Sequence, residues 1–146
     1  MMLDQFYRQV LLEHFQHRRH FEELSGESIQ SVHYKNPTCG DVMTLYLEIK
    51  DNQISQISFL GEGCIISMAS ASMMTKLLQN QSIDTVKELR QSMETMIRTG
   101  HIDDAFQDDE ISALQGVHAL RARHNCALMP WQALDRILNE QPLSQT

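Results

Sequence analysis

The sequence predicts an α+β fold: a small three-stranded antiparallel sheet with helices packed on it. Three observations carry this. Met43, Leu45, Leu47 and Ile49 alternate with Thr44, Tyr46, Glu48 and Lys50, the period-two pattern of a strand with one buried face. The Asp51-Asn52-Gln53 turn then leads into a second strand-like run, Ile54 to Leu60, so the two runs form an antiparallel hairpin. Beyond Gly61-Glu62-Gly63 the apolar period changes to that of helices.

Taken in order, Leu3, Phe6, Tyr7, Val10, Leu11 and His14 fall at helical spacing, which predicts an amphipathic helix over about 3–19. Ser25-Gly26-Glu27 breaks the chain, and Ile29 to Lys35 reads as the short strand that joins the hairpin. Ile65 to Leu78 is helical, and its small residues Ser67, Ser70, Ala71 and Ser72 let it lie close against the sheet. A helix over about 83–98 carries Val86, Leu89, Met93 and Met96 inward and stops at Thr99-Gly100. His101 to Glu110 reads as an exposed acidic excursion, within a polar stretch near 100–112. Ile111 to Val117 reads as a short helix. The last helix is expected over about 127–139, with Pro130 in its first turn, where a missing N–H is tolerated.

With 146 residues the chain, 1–146, is expected to be one domain. A formal charge of −7 without a basic run argues against non-specific nucleic-acid binding. No apolar run reaches the roughly 20 residues that span a bilayer, so no membrane role is expected. The start, Met1-Met2-Leu3-Asp4, lacks the pattern of a secretory signal. Three widely spaced cysteines and no export signal place the expected site of action in the reducing cytoplasm, where such cysteines bind metals or catalyse.

The cysteines are the chemical signal. Cys39 lies in Asn36-Pro37-Thr38-Cys39-Gly40-Asp41, on a Pro/Gly turn. Cys64 follows Gly61-Glu62-Gly63 where a strand gives way to a helix, and a helix N-terminus favours a thiolate. Cys126 stands in the same relation to the last helix. In an extended segment Cys39 and Asp41 point to the same side, so Cys39, Asp41, Cys64 and Cys126 can form a four-ligand set suited to Zn²⁺. Such a centre is negatively charged, and Arg123, three residues before Cys126, is the natural offsetting cation, ahead of Lys35.

Spacing alone leaves the alternatives open. Each thiol can instead be a small core residue, and no Cys-x-x-Cys pair anchors a metal site. His124, two residues before Cys126, points the same way in an extended segment, as a ligand or proton carrier. His14, His17 and His20 read as a solvated helix end, with a second metal site or a partner contact as the alternative. The methionines on the helical stripes and Trp131 read as core.

Lined up together, these neighbourhoods resemble the U-type (IscU/NifU-like) family of iron–sulfur cluster assembly proteins. The resemblance is carried by Asn36-Pro37-Thr38-Cys39-Gly40-Asp41, by the long run from Gly61 through Cys64 to Met74, by Phe6-Tyr7-Arg8-Gln9-Val10, by Ala113 to Val117, and by Arg123-x-x-Cys126 followed by Trp131-x-Ala133-Leu134. Scaffold members of the IscU type have a lysine and a histidine where this chain has Arg123 and Asn125. That departure, with the longer stretch between Cys64 and Cys126, is similar to the SufU branch.

The resemblance implies a zinc-bound sulfurtransferase working with a SufS-type cysteine desulfurase and downstream iron–sulfur assembly proteins. It implies zinc on Cys39, Asp41, Cys64 and Cys126. Cys39 would be released by ligand exchange to accept sulfur as a persulfide, and Arg123 would help that exchange. The alternative it leaves is a scaffold for a transient [2Fe–2S] cluster, and a purely structural zinc site is the third possibility.

Overall fold

The computed structural model describes residues 5–37, 40–107 and 109–140. Helix α1 spans Gln5–Gln16, followed by strands β1 (Ile29–Lys35), β2 (Val42–Lys50) and β3 (Gln53–Glu62). Helices α2 (Ile65–Leu78) and α3 (Ile83–Thr99) come next, then 3-10 segments at Asp104–Phe106, Glu110–Ala119 and Arg121–Arg123, and finally α4 (His124–Glu140).

The three strands form one antiparallel sheet in the order β1-β2-β3, as the alternation predicts. Lys50 pairs with Gln53 across a two-residue turn in which Asp51 and Asn52 both have positive φ, 52° and 61°. That is the primed turn geometry whose twist matches paired strands. The register slips between Glu48 and Ile49. At this bulge the buried Glu48 carboxylate accepts hydrogen bonds from Ser28, Ser55 and Gln56.

Helix α2 is the centre of the molecule. It packs on β3 and is flanked by α1 and α4. Every residue from Ser67 to Thr75 is buried, which the small side chains permit and an amphipathic helix would not show. The core gathers Leu45, Leu47 and Phe59 from the sheet, Met68 and Met74 from α2, Met93 and Met96 from α3, and Leu128, Trp131 and Leu134 from α4. Helix α3 is capped by Ser82, whose hydroxyl accepts the Thr85 N–H, and it ends at Gly100, whose φ is 84°.

Three expectations change. The acidic stretch is anchored rather than solvated throughout. Phe106 is fully buried, and Asp103 and Asp109 cap the 3-10 segments through the N–H groups of Ala105 and Ile111. The first helix does not end in a solvated histidine cluster either. His14 is buried, with Nδ1 on Ser72 Oγ at 2.7 Å and Nε2 on the Glu110 carboxylate, while His17 is exposed on Glu13. Finally, α4 begins at His124, so Pro130 lies inside it, beyond the first turn. A proline there cannot donate to the carbonyl four residues back, that of Cys126.

Candidate metal centre

The site forms where the loop after β1, the end of β3 and the start of α4 meet at the N-terminus of α2. One ligand atom each from Asp41, Cys64 and Cys126 lies within 4.8 Å of the other two. Sulfurs on a tetrahedral zinc stand about 3.8 Å apart, so small side-chain rotations close the set. Cys126 is buried at 1 % exposure and Asp41 at 8 %, while Cys64 is half-buried.

Asp41 Oδ2 is buried with no hydrogen-bond partner among the described residues. A buried carboxylate oxygen without a donor or cation is strongly unfavourable. Two soft sulfurs and one hard oxygen converging on that orphan are a donor set that fits zinc. The residues present therefore fit the ion that the cysteine pattern predicts.

Cys64 is the N-cap of α2, and its sulfur accepts the Ser67 N–H at 3.4 Å. A cysteine replaces the usual Ser, Thr, Asp or Asn cap here, so the helix start aims a thiol at the site. Gly63 makes the close approach possible. A Cβ there would stand 2.7 Å from both Asp41 Cγ and Ser67 Oγ, so only glycine lets the carboxylate and α2 meet. Arg18 secures the strand leading in. It donates to the Gly61 carbonyl at 3.2 Å while lying between the Phe15 and Phe21 rings.

The loop bearing Asp41 is closed by its own backbone. Asn36 N–H donates to the Asp41 carbonyl at 2.8 Å, and Gly40 N–H donates to the Asn36 carbonyl at 3.0 Å. Gly40 has φ 77°, so the backbone is not extended at Gly40 and the same-side alternation expected of an extended run does not apply there. Cys39 itself, like Thr38, lies outside the described residues.

His124 does not join the ligands. Its Nε2–H donates to the His118 carbonyl at 2.8 Å, and its Nδ1 accepts from Arg98 at 3.3 Å. The physical reason is helical backbone: two residues along an α-helix turn by about 200°, which sends His124 and Cys126 to opposite sides. Arg98 also pairs with Glu94, which pairs with Arg90, which pairs with Asp135. This chain of charges clamps α3 to α4. Arg123 is exposed on the 3-10 turn just before α4, its N–H on the Leu120 carbonyl at 2.8 Å. On this helical path it shares a side with Cys126, three residues on.

Sequence reasoning missed two residues that build the site. Ser67 was noted only as small, although its place three residues after a helix cap is the position whose N–H such a cap binds. Ser70 binds α4 across the core: its hydroxyl donates to the Ala127 carbonyl at 2.6 Å and accepts from Trp131 Nε1 at 3.3 Å. No local pattern shows that pairing.

The family model described as "NifU-like N terminal domain" matches residues 6–127. The chain is 37 % identical over 134 residues to the "Zinc-dependent sulfurtransferase SufU" of Bacillus subtilis, covering 92 % of this chain and 90 % of that one. It is 30 % identical over 143 residues to the "Iron-sulfur cluster assembly scaffold protein IscU" of Streptococcus pyogenes, covering 98 % and 89 %. Its fold matches the N-terminal part of a NifU-like protein from Brucella abortus with a TM-score of 0.84 at 19 % identity, over 95 % of this chain and 96 % of that one. By the family model and by this identity over nearly its whole length, the chain belongs to the NifU-like N-terminal domain family.

Proposed function

We propose that the protein is a zinc-dependent sulfurtransferase: Cys39 takes persulfide sulfur from a SufS-type cysteine desulfurase and passes it on for iron–sulfur cluster assembly. The observation that carries this is the convergence of Asp41, Cys64 and Cys126 within 4.8 Å around a carboxylate oxygen that has no partner among the described residues. Cys39 is the fourth member by chain connectivity, because two peptide units separate it from Asp41, about 7 Å at full stretch. The B. subtilis relative, named a zinc-dependent sulfurtransferase, supports the same chemistry.

Asp41, Cys64, Cys126 and Cys39 would hold the ion, and zinc bound there keeps thiols deprotonated and shielded from oxidation. Cys64 and Cys126 are built into helix starts, whereas Cys39 stands in sequence between Pro37 and Gly40. In the transfer, the Cys39 thiolate attacks the terminal sulfur of the donor persulfide. A new S–S bond forms on Cys39 as the donor's S–S bond breaks, and the donor cysteine leaves as a thiolate. No outside oxidant or reductant is needed. Arg123, exposed beside the start of α4, supplies positive charge for the anionic sulfurs that meet there.

A scaffold role needs donors for a [2Fe–2S] cluster, and His124 is withdrawn from that list by its bonds to His118 and Arg98. The test is desulfurase turnover on cysteine, with mass spectrometry of the Cys39 peptide. The wild type should stimulate turnover and gain the mass of one sulfur. Cys39→Ala should do neither, and Arg123→Ala should slow transfer roughly fivefold, about 1 kcal/mol from one exposed charge. Full stimulation by Cys39→Ala would overturn the proposal. Ready [2Fe–2S] formation in the presence of zinc would favour the scaffold.

A further inference from the structure

We propose that Ser67 is a positioning residue of the metal centre: it fixes the Cys64 sulfur beside the Asp41 carboxylate and makes Cys64 the ligand that stays. This deepens the sulfur-transfer function proposed above and rests on it.

Ser67 is fully buried and reaches Cys64 in three ways. Its N–H donates to Cys64 Sγ at 3.4 Å, its hydroxyl donates to the Cys64 carbonyl at 3.1 Å, and the Cys64 thiol donates to Ser67 Oγ at 3.6 Å. The same oxygen lies on the Asp41 side of the site. The point where a Gly63 Cβ would sit is 2.7 Å from Ser67 Oγ and 2.7 Å from Asp41 Cγ. One hydroxyl therefore adjoins two of the three converging ligands, and nothing larger than a hydrogen fits between them.

The hydroxyl also suits both states of the sulfur. Against a thiol it accepts, and its own hydrogen goes to the Cys64 carbonyl. Against a thiolate the hydrogen turns to the sulfur, and the heavy atoms stay in place. The bond is then charge-assisted and joins the one from the Ser67 N–H. Two donors on one sulfur fix its rotamer and occupy the lone pairs that an attack by that sulfur would need. Cys64 is thereby held as a ligand and kept from competing for the incoming sulfur.

A buried serine that merely supports α2 would behave like Ser72, which is equally buried on the same helix but bonds to His14 and to the Arg19 N–H. The full-length chain is compared as wild type, Ser67→Ala, Ser67→Thr and Ser72→Ala. Zinc affinity is measured by chelator competition, and cobalt(II) loading is followed by the thiolate-to-cobalt charge-transfer band. Loss of an outer partner of a ligand weakens metal binding about 10- to 100-fold. Ser67→Ala should weaken zinc at least about tenfold, alter the cobalt band and let sulfur from the desulfurase appear on Cys64. Ser67→Thr, which keeps the hydroxyl, should restore the band. Ser72→Ala should lower the melting temperature but leave band and affinity as in the wild type. Unchanged or tighter zinc binding in Ser67→Ala overturns the proposal, as does a Ser67→Thr that matches Ala or a Ser72→Ala that shifts the band equally. A wild type without any charge-transfer band overturns the proposed function and this inference with it.

Discussion

Cys64 has two jobs that a single substitution can separate. As a helix cap its sulfur accepts one N–H, a task a serine hydroxyl does better. As a ligand of the proposed zinc centre it would need a soft thiolate, which serine cannot supply. Compared metal-free, Cys64→Ser is therefore expected to keep thermal stability within about 0.5 kcal/mol, while its zinc affinity falls at least about a hundredfold. Melting curves and chelator competition on the same samples check both halves. A large loss of stability in the metal-free variant would show that the sulfur is held for packing. A cysteine in place of the usual cap residue is the kind of local departure expected at functional positions.

Between elements, the decisive contact joins α2 to α4. Ser70 spans them with two hydrogen bonds, to the Ala127 carbonyl and from Trp131. Ala127 follows Cys126, so this bond sets where the start of α4 lies relative to Cys64. Ser70→Ala leaves the Ala127 carbonyl and the indole N–H short of a partner in a buried place, which costs about 2 kcal/mol. Urea melts should show a lower midpoint at unchanged slope. A loss under about 0.5 kcal/mol would mean that water or the backbone replaces the serine. Pro130 lies close by on α4 and, having no N–H, donates nothing to the Cys126 carbonyl four residues back.

Across the whole molecule, two carboxyls tie distant segments together and set its acid tolerance. Hydrogen bonds from Ser28, Ser55 and Gln56 hold Glu48 at a pKa of about 2, below the ordinary 4.5. Burial works to raise Glu110, but Lys76 and His14 outweigh it and bring it to about 2. Glu110 thereby joins α1, α2 and the 3-10 segment that follows the acidic stretch. Both folded values lie below the unfolded one, so their stabilisation is complete above pH about 4.5 and is lost as pH falls towards about 2. Acid melts should show that decline, and Glu48→Gln should flatten it while lowering stability at neutral pH. An unchanged acid profile in the variant would assign the decline to other carboxyls. The hydrophobic core of sheet, α2, α3 and α4 includes none of Asp41, Cys64 and Cys126. Chelation should then lower the melting temperature by the linkage expected of a bound ligand, about 2.7 kcal/mol at a hundredfold excess over Kd, without unfolding the chain at room temperature. Unfolding on chelation would favour a structural zinc.

The sequence by itself determined the sheet and its hairpin, because period-two alternation and a polar turn are local signals. It determined the start of α2, because two glycines and a change of period precede it, and it singled out Asp41, Cys64 and Cys126 by their Pro, Gly and Arg surroundings. Only the tertiary structure decided which side chains face one another. His124 and Cys126 part because the backbone between them is helical rather than extended. His14 is buried because Ser72 and Glu110, 58 and 96 residues away in sequence, reach it. The acidic stretch is anchored because Phe106 finds the core. Ser67 and Ser70 were legible as small residues but not as the partners of Cys64 and of the start of α4. A hydroxyl's partner is set by what packs against it, and that is a property of the folded chain.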